Sequence, residues 1–235
     1  MKLAIISDIH GNSYALEAVM FEIERLGIDR IFILGDTVGY YYFPERVFKQ
    51  LEGFEVTAIR GNHDIFLEQA MSDPKYARKI CKKYGSALSL AGQVLSPDQI
   101  SYLRELPEIT VVEYFGKTFT LAHGSPFHND QYIYPDTEKS TLIACINEVN
   151  TDYLLLGHTH HPFIYVGNQT TLINPGSVGQ ARDLGGFASW VVVDMSNDCV
   201  TFRKTQYDAT KLIEEVKFRD PELPYLHEIL TRAFR

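Results

Sequence analysis

Five short segments of the sequence contain the residue types that bind divalent metal ions. They are Asp8-Ile9-His10, Gly35-Asp36, Gly61-Asn62-His63-Asp64, His123-Gly124 and Gly157-His158-Thr159-His160. Their side chains offer carboxylates, imidazoles and one amide but no thiolate. This mixture suits Mn, Fe, Co, Ni or Zn ions better than a cysteine-rich zinc site or an all-oxygen calcium site. Each segment alone is equally explained as a turn or loop, but together they contain five of the eight histidines.

The spacing within the segments favours a site for two ions. In an extended chain, residues two apart project to the same side, which would pair Asp8 with His10 and His158 with His160. Three further candidates complete the set: Asp36, Asn62 and His123. One ion in an imidazole-containing site does not use seven ligands, whereas two ions that share a bridging ligand do. The set therefore predicts a dinuclear centre.

The N-terminal part of the chain predicts the elements that position the first three segments. Apolar runs at Lys2–Ile6, 30–34 and 55–59 predict strands, and apolar residues at helical spacing predict helices at 13–26 and Pro44–Leu51. This order is typical of a mostly parallel sheet with right-handed crossovers. Because the carboxyl ends of such strands converge on one crevice, segments that are distant in sequence are expected to meet there.

The remainder of the chain predicts a helical middle followed by a second set of strands. Residues 65–106 carry no strand signal and predict two or three helices. Later elements are predicted as strands at Ile109–Tyr114, Lys117–Ala122, 153–156, 164–166, 170–173, 188–194 and 200–204, and as helices at 136–149, 208–218 and 223–234. Strands on both sides of a helical middle indicate two packed sheets with helices outside. We expect one domain, residues 1–235, with a helical insertion at about 65–106 and a short C-terminal helical tail.

Composition excludes several classes of protein. No apolar stretch reaches the roughly 20 residues that span a bilayer, and the first apolar run ends at Asp8, too early for a signal peptide. A cytoplasmic location without membrane attachment is therefore expected. Three cysteines without close spacing do not form a disulfide framework. With a net charge of −8 and a single basic stretch at 75–83, no strong nonspecific nucleic-acid binding is expected. A homo-oligomer is left open.

Taken together, the five segments resemble the calcineurin-like metallophosphoesterases, whose pattern is Asp-x-His, Gly-Asp, Gly-Asn-His-Asp/Glu, His and Gly-His-x-His. The match runs from Asp8 to His160, and Asn-Pro-Gly-Ser-Val at 174–178 adds a further similar segment. Residues 9–12, 35–40 and 174–183 are most similar to a small bacterial and archaeal branch described as predicted phosphodiesterases. The resemblance implies a four-layer α/β/β/α sandwich of two mixed sheets with a dimetal site at the strand ends.

The resemblance also implies a role for each ligand. One metal would be held by Asp8, His10, Asp36 and His160, and the other by Asp36, Asn62, His123 and His158. Asp36 would bridge the two divalent ions, for which Mn is favoured. A metal-bridging hydroxide would attack phosphorus while His63 assists the leaving group. Asp64 would orient His63 and hold its tautomer.

Three further residues are candidates for binding substrate. Asn12 follows the first ligand segment, and Arg60 and Arg182 carry guanidinium groups that match phosphate oxygens. For each arginine, a surface salt bridge is an equal alternative. The aromatic residues 40–43 either stack on a base or aryl group or pack beneath the helical region, and packing is favoured. The loops at 65–106 and 125–135 are expected to select the substrate, the second as one wall of the cleft.

The expected activity is hydrolysis of phosphate esters, with diesters slightly favoured and a small molecule or nucleotide as substrate. A protein phosphatase and a dinucleoside polyphosphate hydrolase are alternatives that use the same metal centre. A non-catalytic binding scaffold of the same fold is an alternative of another class. It is disfavoured because His63 and all seven ligand positions are present.

Overall fold

The computed structural model describes residues 1–233. Along the chain the elements are β1 (Lys2–Ile6), α1 (Ser13–Arg25), β2 (Arg30–Ile33), α2 (Pro44–Leu51), β3 (Glu55–Ala58), α3 (Asn62–Ser72), α4 (Pro74–Tyr84), α5 (Ala87–Val94), α6 (Pro97–Glu105), β4 (Ile109–Tyr114), β5 (Lys117–Ala122), α7 (Lys139–Glu148), β6 (Tyr153–Leu155), β7 (Phe163–Val166), β8 (Thr171–Asn174), β9 (Phe187–Asp194), β10 (Cys199–Gln206), α8 (Thr210–Arg219) and α9 (Tyr225–Glu228), followed by a 3₁₀ turn at Ile229–Thr231. None of the helices within this range is long and apolar enough to cross a membrane.

The strands form two mixed sheets of five strands each. In the first sheet the order is β10-β9-β1-β2-β3, with β1, β2 and β3 parallel and β9 antiparallel to both β1 and β10. In the second the order is β4-β5-β6-β8-β7, with β5, β6 and β8 parallel and both outer strands antiparallel to their neighbours. The parallel strands therefore occupy the centre of the second sheet and one side of the first, up to its edge at β3, and within each sheet they end on the same side.

Alternating side chains on β1 show how the layers stack. Ala4 and Ile6 pack with the buried face of α1, whereas Leu3 and Ile5 pack with Phe119 of the second sheet. A third cluster joins the other face of the second sheet to α7. Each fully buried Leu, Ile or Phe side chain in these clusters contributes about 1.5–3 kcal/mol. The layers are α/β/β/α, which confirms the predicted sandwich.

The helical middle contains four helices, α3 to α6, so the prediction of two or three was wrong. Pro74 begins α4, where the Asp73 side chain accepts a hydrogen bond from the backbone of Lys75, and this separates α4 from α3. Gly85 ends α4 with a φ of 89°, a conformation that favours glycine. These local stops divide one apolar pattern into short helices.

The aromatic segment 40–42 packs between the helical middle and the C-terminal helices. Tyr41 and Tyr42 are almost fully buried against α8, α9 and the start of α5, so packing is confirmed as their role. The Tyr42 hydroxyl donates a hydrogen bond to Asp220, which also accepts from Ser86. The predicted C-terminal helix at 223–234 is instead the short α9 and a 3₁₀ turn, and its predicted end at Phe234 lies outside the described residues.

Candidate metal centre

The five sequence segments meet where the parallel strands of both sheets end. Three groups of possible ligand atoms each lie within 4.8 Å of one another: Asp8 with His10 and His160, Asp36 with His123 and His158, and His10 with Asp36 and His63. The first two groups belong to the two ligand sets that the family resemblance implies. The third group adds His63, which was expected to face substrate. Each of the first two groups combines residues from both sheets.

Asp36 lies between the first two groups. Its Oδ2 atom is 3.7 Å from His10 Nε2 and 3.4 Å from His123 Nε2. His123 Nε2 is also 3.0 Å from Asn62 Oδ1, which brings the amide into the second group. In the first group, His160 Nε2 lies 3.1 Å from His10 Nε2 and 3.2 Å from Asp8 Oδ1. The arrangement has the shape of two ligand sets that share one carboxylate.

Several buried polar atoms at the centre lack a hydrogen-bond partner. Within the described part of the chain, Asp8 Oδ1 and His158 Nε2 are buried and make no hydrogen bond. Buried polar groups are usually satisfied, so an unpaired buried acceptor in each of the first two groups is what a cation would complete. Burial alone lowers the pKa of His123, but the charges of Asp36 and Asp8 outweigh it and raise this pKa to about 10. Such a surplus of negative charge also fits divalent ions.

The backbone at the ligand positions is strained. Positive φ angles occur at Asp8 (54°), His10 (52°), Asp36 (54°), His158 (65°) and His160 (61°). Non-glycine residues in this region cost of order 1–3 kcal/mol each, and such residues cluster at functional sites. The expectation that Asp8–His10 and His158–His160 pair through an extended backbone was therefore wrong. With positive φ angles, Asp8 and His10 enter the same ligand group, whereas His158 and His160 enter different groups.

Backbone carbonyls fix the orientation of two ligand rings. His123 Nδ1 donates a hydrogen bond of 2.6 Å to Leu34, and His160 Nδ1 donates one of 2.8 Å to Gln180. A ring whose Nδ1 carries the proton presents the lone pair of Nε2 to the centre. The sequence pattern does not reveal these tethers, because each joins the ligand to a backbone atom elsewhere in the fold.

Residues 174–179 donate hydrogen bonds to the two strained loops that carry Asp8 and His158. The Asn174 amide donates to the backbone oxygen of Gly157, and the Ser177 hydroxyl donates to that of Asp8. The Gly179 nitrogen also donates to Asp8, and a Cβ atom on Gly179 would collide with the backbone oxygen of Ile9. This segment therefore holds the first and last ligand loops together, which gives a physical reason for its place in the motif set.

Asp64 does not orient His63 as expected. Its carboxylate accepts hydrogen bonds from the backbone nitrogens of Asp36 (2.9 Å), Gly61 (2.9 Å) and Val38 (3.2 Å), and within residues 1–233 none of its hydrogen bonds goes to His63. Successive residues of a helix point about 100° apart, so the first turn of α3 directs these two side chains differently. Burial and the charge of Asp36 raise the pKa of Asp64 to about 7. The hydrogen bonds from the backbone of Gly61 and Val38 lower this pKa but do not offset the increase.

His63 lies among aromatic rings at the edge of the centre. Its ring centroid is 4.8 Å from that of His10, 4.7 Å from that of Tyr40 and 4.8 Å from that of Tyr84. Its backbone nitrogen donates to Asp36 Oδ1 at 2.7 Å. Burial lowers the pKa of His63 to about 4, so the imidazole is neutral at pH 7.

The structure places the three candidate substrate-binding residues in different environments. Asn12 is fully buried: it caps α1 by accepting from Ala15 and donates to Gly179 and Tyr207, so the prediction of a substrate contact was wrong. Arg60 pairs with Glu68 at 2.5 Å, the alternative that was left open. Arg182 is half-buried, and its Nε makes no hydrogen bond to the residues that the structure describes. Of the three, Arg182 therefore stays the candidate for binding a phosphate oxygen.

Two tyrosines contact ligand rings directly. Tyr40 lies 4.6 Å from His10 and Tyr132 lies 4.2 Å from His158, measured between ring centroids. Sequence patterns favoured a packing role for residues 40–43 and treated residues 125–135 as a cleft wall that selects the substrate. Neither tyrosine carries a local signal, because the contact depends on how loops from different elements pack.

Comparison with known proteins agrees with this geometry. Residues 1–198 match the calcineurin-like phosphoesterase superfamily domain. An uncharacterised protein of Methanocaldococcus jannaschii is 32% identical over 241 residues, which cover 94% of each chain. A hypothetical protein of Pyrococcus horikoshii OT3 superimposes with a TM-score of 0.86 at 27% identity, and a metallophosphoesterase of Sphaerobacter thermophilus with a TM-score of 0.79 at 28% identity, each over 98% of both chains. The chain therefore belongs to the calcineurin-like phosphoesterase superfamily.

Proposed function

We propose that the protein is a metal-dependent phosphoesterase that hydrolyses phosphate esters, with diesters favoured over monoesters. The observation that carries this proposal is the convergence of buried carboxylates and imidazoles on two groups beside Asp36. The similarity to a metallophosphoesterase of Sphaerobacter thermophilus over 98% of both chains supports the same class of reaction.

The proposed cofactors are two divalent metal ions, with Mn favoured. The first ligand set is Asp8, His10, Asp36 and His160, and the second is Asp36, Asn62, His123 and His158. When bound, such a pair polarises phosphate oxygens and lowers the pKa of a coordinated water. Asp36 would bridge the two positions, where its negative charge offsets the repulsion between the cations. The tethered rings of His123 and His160 keep their Nε2 lone pairs directed inwards.

His63 is the proposed catalytic residue that contacts the substrate. As a neutral imidazole it still carries one N–H group, which can donate a hydrogen bond to the leaving-group oxygen. A bound phosphate anion would raise the pKa of His63, because a nearby negative charge favours the protonated ring. That shift moves His63 towards the range in which it can act as a general acid.

We further propose that residues 1–235 act as one catalytic unit, with the helical insertion at about 65–106 shaping the site. Two observations support this role. Phe66 of α3 and Tyr84 of α4 both contact the His63 ring, at 5.3 and 4.8 Å between centroids. The insertion therefore limits how a substrate can approach His63.

No observation favours a protein phosphatase or a dinucleoside polyphosphate hydrolase over other phosphoesterases. A non-catalytic scaffold is disfavoured on physical grounds. Unpaired buried polar atoms and five strained ligand positions together cost several kcal/mol, which supports a chain that binds metal. Beside them the chain keeps His63, the residue that a scaffold does not need.

The proposal is tested with Mn²⁺-loaded protein on bis-p-nitrophenyl phosphate and p-nitrophenyl phosphate. Hydrolysis should require the metal, stop with a chelator and be faster for the diester. His63→Ala should lower turnover by about 10²-fold or more without loss of metal. His128→Ala is the matched control, because His128 is exposed and lies outside the three ligand groups. Two bound ions with no hydrolysis of either ester would favour the scaffold instead.

A further inference from the structure

Aromatic and basic side chains lie beside the candidate metal centre, where Tyr84 contacts His63 and Tyr132 contacts His158. We call this set the rim: Lys83, Tyr84, Tyr132, Tyr134, Arg182 and Tyr225. They come from the end of α4, the loop at 125–135, the segment after residue 179 and α9. The rim is therefore assembled from four separate parts of the chain.

Tyr132 is the rim residue that touches the centre and also faces solvent. Its ring centroid is 4.2 Å from that of His158, yet 53% of the residue is exposed. Tyr134 lies parallel to it, with an interplanar angle of 11° and a centroid distance of 5.8 Å, which fixes the orientation of the Tyr132 ring. An ordered aromatic ring left half in water beside a phosphoesterase centre is a surface on which a planar group of the substrate can stack.

The rim also carries positive charge in a chain whose net charge is −8. Lys83 Nζ lies 4.6 Å from the centroid of the Tyr84 ring. Arg182 lies two residues after Gln180, whose backbone oxygen accepts a hydrogen bond of 2.8 Å from His160 Nδ1. Among residues 1–233, the buried Nε atom of Arg182 has no hydrogen-bond partner. A guanidinium in this state suits a phosphate oxygen.

We propose that the rim selects phosphodiesters whose second ester group carries a planar ring, as nucleotides do. Tyr132 stacks on that ring and Arg182 binds a non-bridging phosphate oxygen. The inference rests on the proposed function of the metal centre. Stacking by Tyr132 can be distinguished from a purely structural role in holding His158. Loss of stacking affects only substrates that have a ring, whereas a displaced His158 affects metal binding and every substrate alike.

The test uses three diesters that share p-nitrophenolate as leaving group and carry ethyl, phenyl or thymidine 5′ as the second group. For Mn²⁺-loaded wild type, KM should be about tenfold lower for the two ringed diesters than for the ethyl diester. Tyr132→Ala should abolish this difference with metal content and the KM of the ethyl diester unchanged, and Tyr132→Phe should restore it. Arg182→Gln should raise KM about tenfold or more for all three. Tyr165→Ala, half-buried on β7 away from the rim, is the control.

Equal KM for the three diesters in wild type would overturn the rim proposal and leave the phosphodiesterase intact. The same would follow if Tyr132→Ala impaired all three diesters equally. If wild type hydrolyses no diester, the proposed function fails. The rim proposal is then tested separately by calorimetry, which measures how tightly the protein binds thymidine 5′-monophosphate and ethyl phosphate. Binding of the nucleotide about tenfold tighter, lost in Tyr132→Ala, supports the rim. Equal binding of the two ligands overturns it.

Discussion

Neighbouring residues of one motif can have unrelated physical roles, as His63 and Asp64 illustrate. The His63 ring packs among His10, Tyr40 and Tyr84, whereas the Asp64 carboxylate accepts backbone hydrogen bonds from the loop that carries Asp36. Both residues are buried, so their charge states depend on their neighbours more than on solvent. The difference arises because adjacent positions at a helix start point to different parts of the fold.

Asp36→Asn should remove both metal ions rather than one. Asparagine keeps the size of the side chain and an oxygen for the His63 backbone nitrogen, but it lacks the charge that faces His10 and His123. Metal content per chain after gel filtration measures the outcome. Asp130→Asn, an exposed residue, is the control and should bind metal like wild type. Full occupancy of one position in Asp36→Asn would contradict the proposed bridging role.

At the scale of elements, the loops after the strands determine the ligand geometry. Strained turns at Asp8, Asp36 and His158 persist because neighbouring segments hydrogen-bond to them. The start of α3 anchors the Asp36 loop, and residues 174–179 anchor the Asp8 and His158 loops. The elements therefore contribute more than a scaffold, because their ends supply the donors and acceptors that hold unfavourable backbone conformations.

Asp64→Asn should destabilise the fold and weaken metal binding together. The amide presents an N–H group to at least one backbone donor, and a buried donor without an acceptor costs about 1–3 kcal/mol. Urea unfolding and metal titration measure the two effects. The control is Asp73→Asn on exposed Asp73, where asparagine caps a helix about as well as aspartate. Unchanged metal affinity in Asp64→Asn would show that the Asp36 loop does not depend on this anchor.

Asp152 should make stability depend on acid pH. Hydrogen bonds from the backbone and hydroxyl of Thr118, both 2.8 Å, lower the pKa of Asp152. A carboxyl whose folded-state pKa is lowered stabilises the fold above its unfolded pKa of about 4, and this contribution is lost as the pH falls through the folded-state value. Because the group is partly exposed, Asp152→Asn should cost only about 1 kcal/mol at pH 7.

Denaturant unfolding at pH 7 and at pH 3 checks this expectation. The difference between wild type and Asp152→Asn should shrink at the lower pH, whereas Asp130→Asn should match wild type at both. A difference that stays constant across this range would mean that the contribution of Asp152 does not depend on its charge.

For the molecule as a whole, the candidate metal centre lies at the strand ends where the two sheets meet. Asp8 and Asp36 follow strands of the first sheet, and His123 and His158 follow strands of the second. Each proposed metal position therefore joins ligands from both sheets. Metal binding should strengthen the contact between the two halves of the sandwich in addition to completing the site.

Removal of metal should lower the melting temperature of wild type. Ions at about 100 times their dissociation constant stabilise the folded state by about 2.7 kcal/mol per site, which corresponds to roughly 5–10 °C for a chain of this size. Thermal unfolding with Mn²⁺ and with a chelator measures the change. Asp36→Asn should show little difference between the two conditions. A large metal-dependent shift in that variant would mean that the ions stabilise the chain elsewhere.

Sequence alone predicted the order of the elements, the sandwich and the set of candidate ligands. These features follow from local information: apolar periodicity along β1 and α1, and the chemical type of residues such as Asp8 and His160. Helix ends were less predictable, because Pro74 and Gly85 divide an apolar pattern that is otherwise continuous.

Tertiary structure decided which atoms meet. It turned the Asp64 carboxylate to the backbone of Asp36, engaged Asn12 in a helix cap and paired Arg60 with Glu68. It also gave the ligand residues left-handed backbones and brought Tyr132 against His158. Each outcome depends on hydrogen bonds and packing between segments far apart in the chain, whose energies no local pattern contains.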